Sequence, residues 1–148
     1  MTEAVVNDFD TKQFIVFSLG EERFGVDSLS ITTIDRMKTI TRVPKTPDYI
    51  KGVINLRGDI IPVMDLRAKF NLPQVEETDE TRIIILKLEE ISIGVIVDQV
   101  LQTIQLSGND IENASSLINS AAAEYISGIG KIGGEIVTLI NFEKLVKL

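Results

Sequence analysis

The chain has 148 residues, 44% hydrophobic and 25% charged, with a formal net charge of −7; that is enough for one globular domain or for two half-size modules sharing a core. It holds no cysteine and no histidine, which excludes thiol nucleophiles, Cys or His metal centres and the one side chain that titrates unperturbed near neutrality. The acidic balance argues against a nucleic-acid partner, which needs clustered Lys and Arg. The start MTEAVVNDFDTKQ lacks the basic and apolar regions of a signal peptide, and no apolar run approaches the roughly 20 residues of a membrane span. A soluble cytoplasmic protein without cofactor, metal or direct membrane insertion is the expectation.

Residues 1–12 are polar and acidic without a sustained period and are expected to form a flexible tail, with the folded domain at 13–148. Phe14 to Leu19 and Arg23 to Val26 are apolar or β-branched runs separated by Gly20-Glu21-Glu22, the signature of a hairpin. A further strand is predicted from Ile31 to Ile34, where Val26, Leu29, Ile31 and Ile34 crowd apolar groups between Asp27, Asp35 and Arg36. Most of these belong to a core, and the remainder would leave an apolar groove suited to a protein partner. Next, Val53 to Leu56 and Ile60 to Met64 flank Arg57-Gly58-Asp59, a second hairpin whose Gly58 supplies a positive φ. Asp65 then stands where it can cap a short helix, DLRAKF. Pro73 and the acidic run Glu76, Glu77, Asp79 and Glu80 mark a junction.

Beyond the junction the pattern repeats. Arg82 to Leu88 and Ile91 to Val97 form a hairpin around Glu89-Glu90, with Leu88, Ile93, Gly94 and Val95 matching Leu19, Phe24, Gly25 and Val26 at an offset of 69. Residues 125–146 match residues 49–70 at an offset of 76 without a gap, with Tyr, Ile, Gly, Gly and Ile identical at 49, 50, 52, 58 and 60, and Asn141 in the place of Asp65. The chain is thus an internal duplication, one supersecondary unit used twice. The difference in offset leaves seven extra residues in the second copy between about Thr103 and Tyr125, where the Ala-rich stretch 114–125 suggests a loop with a short helix. Many short strands with regular turns imply an all-β protein of two small barrels with a common core, subdomain 1 at about 13–77 and subdomain 2 at about 78–148.

The candidate chemistry is sparse. Gly128, Gly130 and Gly133 satisfy the dinucleotide-binding spacing, but a strand-like EIVTLI follows where a helix is required. The carboxylates of Glu21/Glu22, Glu89/Glu90 and 76–80 fall on predicted turns or the junction and are solvated charge rather than an acid–base pair or a calcium site. The sequon at Asn113 has no secretion signal beside it. Arg57, at a turn tip, is the polar residue that stands out, because its repeat counterpart is Gly133 and the duplication has not kept it. A small-ligand or oligonucleotide-binding barrel is the alternative reading, weakened by few aromatics and an acidic charge.

The segment VPKTPDYIKGVINLRGDIIPVMDLRAKF, followed by IGVIVDQV and YISGIGKIGGEIVTLINFEKL, closely resembles the CheW-type coupling proteins of bacterial chemotaxis, from about Thr11 to Leu148. The resemblance implies an SH3-like or OB-like pair of five-stranded β-barrels around a shared hydrophobic core, with short helices and some strands crossing between them. It implies a non-enzymatic scaffold, with no catalytic residues, that couples methyl-accepting chemoreceptors to a CheA-type histidine kinase through the kinase's regulatory domain, recruited to membrane-bound receptor arrays. At 148 residues the chain leaves no room for a kinase or receiver domain. By matching positions, the receptor-tip groove would draw on Ile15, Val26, Ile31, Ile34 and Val100, and the kinase or ring contacts on Gly52, Arg57, Gly128, Gly133 and Gly134. Relatives often carry an acidic residue where this chain has Thr33; whether Asp35, two residues along on the same strand face, takes its place toward Arg57 is left open by the sequence.

Overall fold

The computed structural model describes residues 11–112 and 125–146. Residues 1–10 of the expected tail and nearly all of the expected loop helix at 114–125 lie outside the described residues. Lys12, assigned to the tail, already belongs to the first strand. In chain order the elements are β1 (Lys12–Leu19), β2 (Glu22–Asp27), β3 (Ile31–Arg36), β4 (Ile50–Leu56), β5 (Asp59–Asp65), helix α1 (Leu66–Lys69), β6 (Arg82–Leu88), β7 (Ile91–Val97), β8 (Gln99–Leu106), β9 (Ile111–Glu112), β10 (Ile126–Ile132), β11 (Glu135–Ile140) and helix α2 (Phe142–Val146).

The chain divides into two compact units, residues 1–29 with 101–148 and residues 30–100, so the boundary near 77/78 separates the sequence copies but not the units. The first unit is built on a sheet of order β8-β1-β2-β11-β10-β9, the second on a sheet of order β3-β6-β7-β5-β4. In each, a hairpin of one copy pairs in parallel with a hairpin of the other. Leu139 of β11 lies beside Gly25 of β2, and Val63 of β5 beside Gly94 of β7. Shifting the second pair by the two repeat offsets gives the first, so both units use one register.

The expectation of two five-stranded barrels needs correction. The sheets are open, ending on β8 and β9 in one unit and on β3 and β4 in the other, and the first has six strands. The extra strand is a matter of length. Glu112 of β9 pairs with Ile129, and the repeat counterpart of Ile129 is Val53, which pairs with the single residue Thr41 as an isolated bridge. The second copy's longer connection extends that bridge into a two-residue strand.

Each unit has its own core cluster. In the first, Phe14, Val16, Ile104, Leu106, Val137 and Leu139 pack together, and Phe17 stacks on Phe24 with centroids 5.7 Å apart. In the second, Ile54, Ile61, Val63, Ile83 and Ile85 do so. Ile83 to Leu86 are all buried, which explains why RIIILKL shows no alternation: a strand flanked on both sides and covered on both faces is apolar throughout. Each such side chain contributes about 1.5–3 kcal/mol by burial.

Local chemistry is likewise repeated. Asp65 Oδ1 accepts the Arg67 N–H at 3.0 Å to cap α1, and Asn141 Oδ1 accepts the Lys144 N–H at 3.2 Å at α2. The N–H groups of Asp65 and Asn141 donate to the carbonyls of Tyr49 and Tyr125, each at 2.7 Å. Both β4 and β10 carry a bulge, between Ile50 and Gly52 and between Ile126 and Gly128. The Arg57-Gly58 turn has φ of 54° and 90°, and the Gly133-Gly134 turn 55° and 83°. These are two-residue loops of the kind with both φ positive, which suits the twist of a hairpin. The first therefore holds a non-glycine in the left-handed region at a cost of about 1–2 kcal/mol, partly offset where Asn55 Oδ1 accepts the Gly58 N–H at 2.9 Å.

Two stability measurements check this account. A Cβ on Gly52 would stand 2.1 Å from the Thr41 carbonyl oxygen, and its φ is +151°; Gly52→Ala should cost on the order of 2–3 kcal/mol in urea denaturation, whereas Gly108→Ala, with open space around the added methyl, should fall within about 0.5 kcal/mol of the parent. Arg57→Gly relieves the left-handed strain while loosening the unfolded chain, so stability should stay level or rise by up to about 1 kcal/mol. A fall larger than that would show that the Arg57 side chain holds the turn.

Candidate functional site

The sequence-predicted residues fall into three groups. Ile15 and Val26 are cross-strand partners on β1 and β2 in the first unit. Ile15 is half-buried, but Val26 is 2% exposed, so it supports the surface from beneath and has nothing to present to a partner. Ile31 and Ile34 are half-buried on β3, the edge strand of the second sheet, and Val100 is half-buried near the start of β8. Leu29, which the sequence offered among the apolar groups around β3 but which was not among the matched groove positions, is 91% exposed at the tip of the short 3-10 turn Ser28–Ser30, its N–H held by Asp27 Oδ1 at 3.0 Å. Its signal was an apolar residue between two serines, where a turn requires none.

The glycines separate by role. Gly52 and Gly128 are buried, with the backbone of Thr41 pressed against the first and Ile111 and Glu112 against the second. Both admit the close approach of a neighbouring segment where a side chain would stand. Gly133 and Gly134 are exposed at a turn tip, as is Arg57 at the other. Arg57 makes no ion pair among the described residues, and Asp35 does not reach it. Asp35 instead turns Oδ2 into the protein without a hydrogen-bond partner, so it does not take the place of an acidic residue at Thr33 toward Arg57.

Around Arg57 the geometry gathers further groups. Because β5 and β7 are parallel with Val63 beside Gly94, Ile60 and Ile91, each three residues earlier, stand at the same end of the second sheet. They are 63% and 60% exposed. Arg57-Gly58 and Glu89-Glu90, the turns that lead into these strands, lie at that end as well. The corresponding end of the first unit carries Ile136, 59% exposed, but Glu22 takes the place of Ile91. There Arg23 Nη1 binds Glu135 Oε2 at 2.7 Å, whereas Ser92 occupies the matching position in the second copy. One end thus sets two exposed isoleucines beside Arg57, which has no ion pair among the described residues, and beside the acids Glu89 and Glu90; the other carries an ion pair and Ile136.

At the opposite end of the second sheet Arg67 acts as a clamp. Its Nε and Nη2 donate to Asp98 Oδ1 and Oδ2 at 3.0 and 2.6 Å, and Nη1 donates to the Pro73 carbonyl at 2.8 Å. The hydrogen bond to Asp98 raises the guanidinium pKa above its ordinary value against the lowering effect of burial, so the group is a fixed charge that ties α1 to the β7–β8 connection and to the junction. No group of three or more acidic side chains is arranged to hold a metal ion, no aromatic side chain is exposed, and no helix is long and apolar enough to cross a membrane, among the described residues. Without an exposed ring for bases to stack on, the oligonucleotide-binding alternative loses its main physical support.

Comparison with known proteins places the chain in a family. The family model of the CheW-like domain matches residues 13–148. A chemotaxis protein CheW of Klebsiella aerogenes is 37% identical over 135 residues, 91% of this chain and 81% of the relative; that of Bacillus subtilis is 36% identical over 130 residues, 88% and 83% of the two chains. The crystal structure of the scaffolding protein TtCheW from Thermoanaerobacter tengcongensis is similar with a TM-score of 0.85 and 34% identity, covering 93% of this chain and 88% of that one. The chain belongs to the CheW-like family; the relatives named here are chemotaxis proteins, the one of known structure is a scaffolding protein, and none is named as an enzyme.

Proposed function

We propose that this protein couples methyl-accepting chemoreceptors to a CheA-type histidine kinase, in the cytoplasm beneath the receptor array. The observation that carries the kinase half is the exposed end of the second sheet, where Ile60, Ile91 and the strained, unpaired Arg57 stand together. Exposed isoleucines at strand starts contribute nothing to a core, and a non-glycine held at positive φ where the other copy uses glycine marks a side chain kept for what it touches. A homologous regulatory domain of the kinase, carrying the same duplicated design, would offer a matching end. The first unit's end, with Ile136 beside the Gly133-Gly134 turn, gives the scaffold its second such contact.

For the receptor half, the first unit offers Ile15 and Leu29, and the second unit, taken by itself, offers Ile31, Ile34 and Val100, all of them apolar positions on or beside strands. A helical receptor tip binds such positions through apolar knobs, with the signal passed as altered contact geometry and without covalent chemistry.

Charge and size changes at the two surfaces should separate the roles. Ile91→Asp and Arg57→Glu should each weaken binding of the kinase regulatory domain by about 1–4 kcal/mol while leaving receptor-fragment binding intact, and Leu29→Asp should do the reverse. Isothermal titration against each fragment reads both. If Arg57→Glu and Ile91→Asp both leave the kinase affinity within twofold of the parent, the assignment of that end is wrong; if the parent binds neither fragment, the coupling reading itself is wrong.

A further inference from the structure

A second surface lies on the loop that joins β3 to β4. Between residues 36 and 51 the chain places Arg36, Lys38, Arg42, Lys45 and Lys51 against the single acid Asp48, in a protein of net charge −7. All five cations are exposed. Only Lys51 has an ion pair, a long one of 3.8 Å to Asp65; Arg36, Lys38, Arg42 and Lys45 have none among the described residues. With acids outnumbering bases 22 to 15, a surface shaped only for solubility or stability would have paired these groups.

The loop is also held rigid. Pro44 and Pro47 fix two of its φ angles, Thr46 Oγ1 donates to the Val43 carbonyl at 3.1 Å, the Ile50 N–H donates to the Pro47 carbonyl at 3.0 Å, and Thr41 is bridged to Val53. Lys45 at the tip sits at a φ of 63°. Of the four non-glycines at positive φ, Lys45 and Arg57 are exposed cations with no ion pair among the described residues. Below the loop, Arg42 and Lys51 border a cavity of about 380 Å³ floored by Asp65 and flanked by Asp48. A preorganised array of unpaired charge loses little entropy when a partner arrives.

We infer that this loop is a docking surface for a short acidic polypeptide segment of another protein, gripped by Lys38, Arg42 and Lys45. A polypeptide fits where a bilayer or a duplex does not. An extended polyanion would bring its field over the rest of an acidic surface, while a short segment stays within about one Debye length, roughly 10 Å at 0.1 M salt, of the loop. The inference is independent of the coupling reading, since it concerns residues assigned there neither to the receptor nor to the kinase.

The test uses the whole chain and a fluorescein-labelled octaglutamate peptide, read by anisotropy. The parent should bind at about 50 mM salt and weaken at least about fivefold by about 300 mM. K38E/R42E/K45E should lose at least about tenfold in affinity, while K12E/K87E/K144E, with the same change in net charge, should stay within about twofold. K38Q/R42Q/K45Q gives the same reading, with a smaller loss, should the charge reversal fail to fold. Absence of peptide binding at low salt, or an equal loss in the Lys12, Lys87 and Lys144 control, overturns the inference. So does binding to phosphatidylglycerol vesicles in preference to the peptide.

Discussion

Everything else in this molecule depends on two parallel strand contacts, β2 with β11 and β5 with β7. Each joins a hairpin from one copy of the duplication to a hairpin from the other, and the two are equivalent under the repeat offsets. Neither copy can therefore complete a sheet alone. A single copy would leave the edge of β2 or β5 unpaired, and would lack the side chains that its counterpart contributes to the cluster around Val16 or Val63. Gly25 and Gly94 stand at these contacts because an added methyl would meet Leu139 Cδ2 and Ile83 Cγ2, each at 2.9 Å. The backbone duplication is thus maintained by packing, which leaves the surface free to diverge.

That divergence is where function is written. At equivalent positions the two copies carry Arg57 and Gly133, Ile91 and Glu22, Lys51 and Ser127, Asp98 and Leu29. The last pair is instructive. Asp98 is bound by Arg67, whose counterpart is Glu143, so one unit closes this corner with an ion pair and the other leaves a leucine 91% exposed. The fold tolerates either solution. On the coupling reading, a leucine in water at a site where the fold accepts an aspartate is kept for a partner, by the same logic that applies to Arg57 at a turn where glycine costs less.

How much was legible in the sequence follows from which forces act locally. Hairpins, turn glycines and helix caps came through almost to the residue, since turn chemistry and capping are decided within a few positions: Arg82 to Leu88 and Ile91 to Val97 are strands to the residue. The duplication was legible because packing preserves glycines and apolar spacing. What stayed hidden was everything long-range. No local signal tells that β2 belongs with β11, nor that the sheets stay open with six strands in one. Val26, Gly52 and Gly128 matched family positions, and only the structure shows all three buried. Ile91 escaped because an apolar residue is taken for core until the structure shows it in water, and the basic loop was passed over because net charge hides a local reversal of sign.

Magnitudes also say what kind of scaffold this is. Burying one isoleucine contributes about 1.5–3 kcal/mol, against a cost of roughly 4–15 kcal/mol for the lost freedom of an associating protein. By this measure the first unit's end, with Ile136, contributes less than the second unit's end, with Ile60, Ile91 and Arg57. On the coupling reading, each contact binds its partner measurably but modestly. Engaging several contacts together strengthens the assembly, because each raises the effective concentration of the others. Such an assembly responds steeply to a small change at one contact, because losing it removes the local concentration that sustained the rest. On that reading, modest and unequal ends on a duplicated backbone suit a protein that transmits a signal by geometry alone.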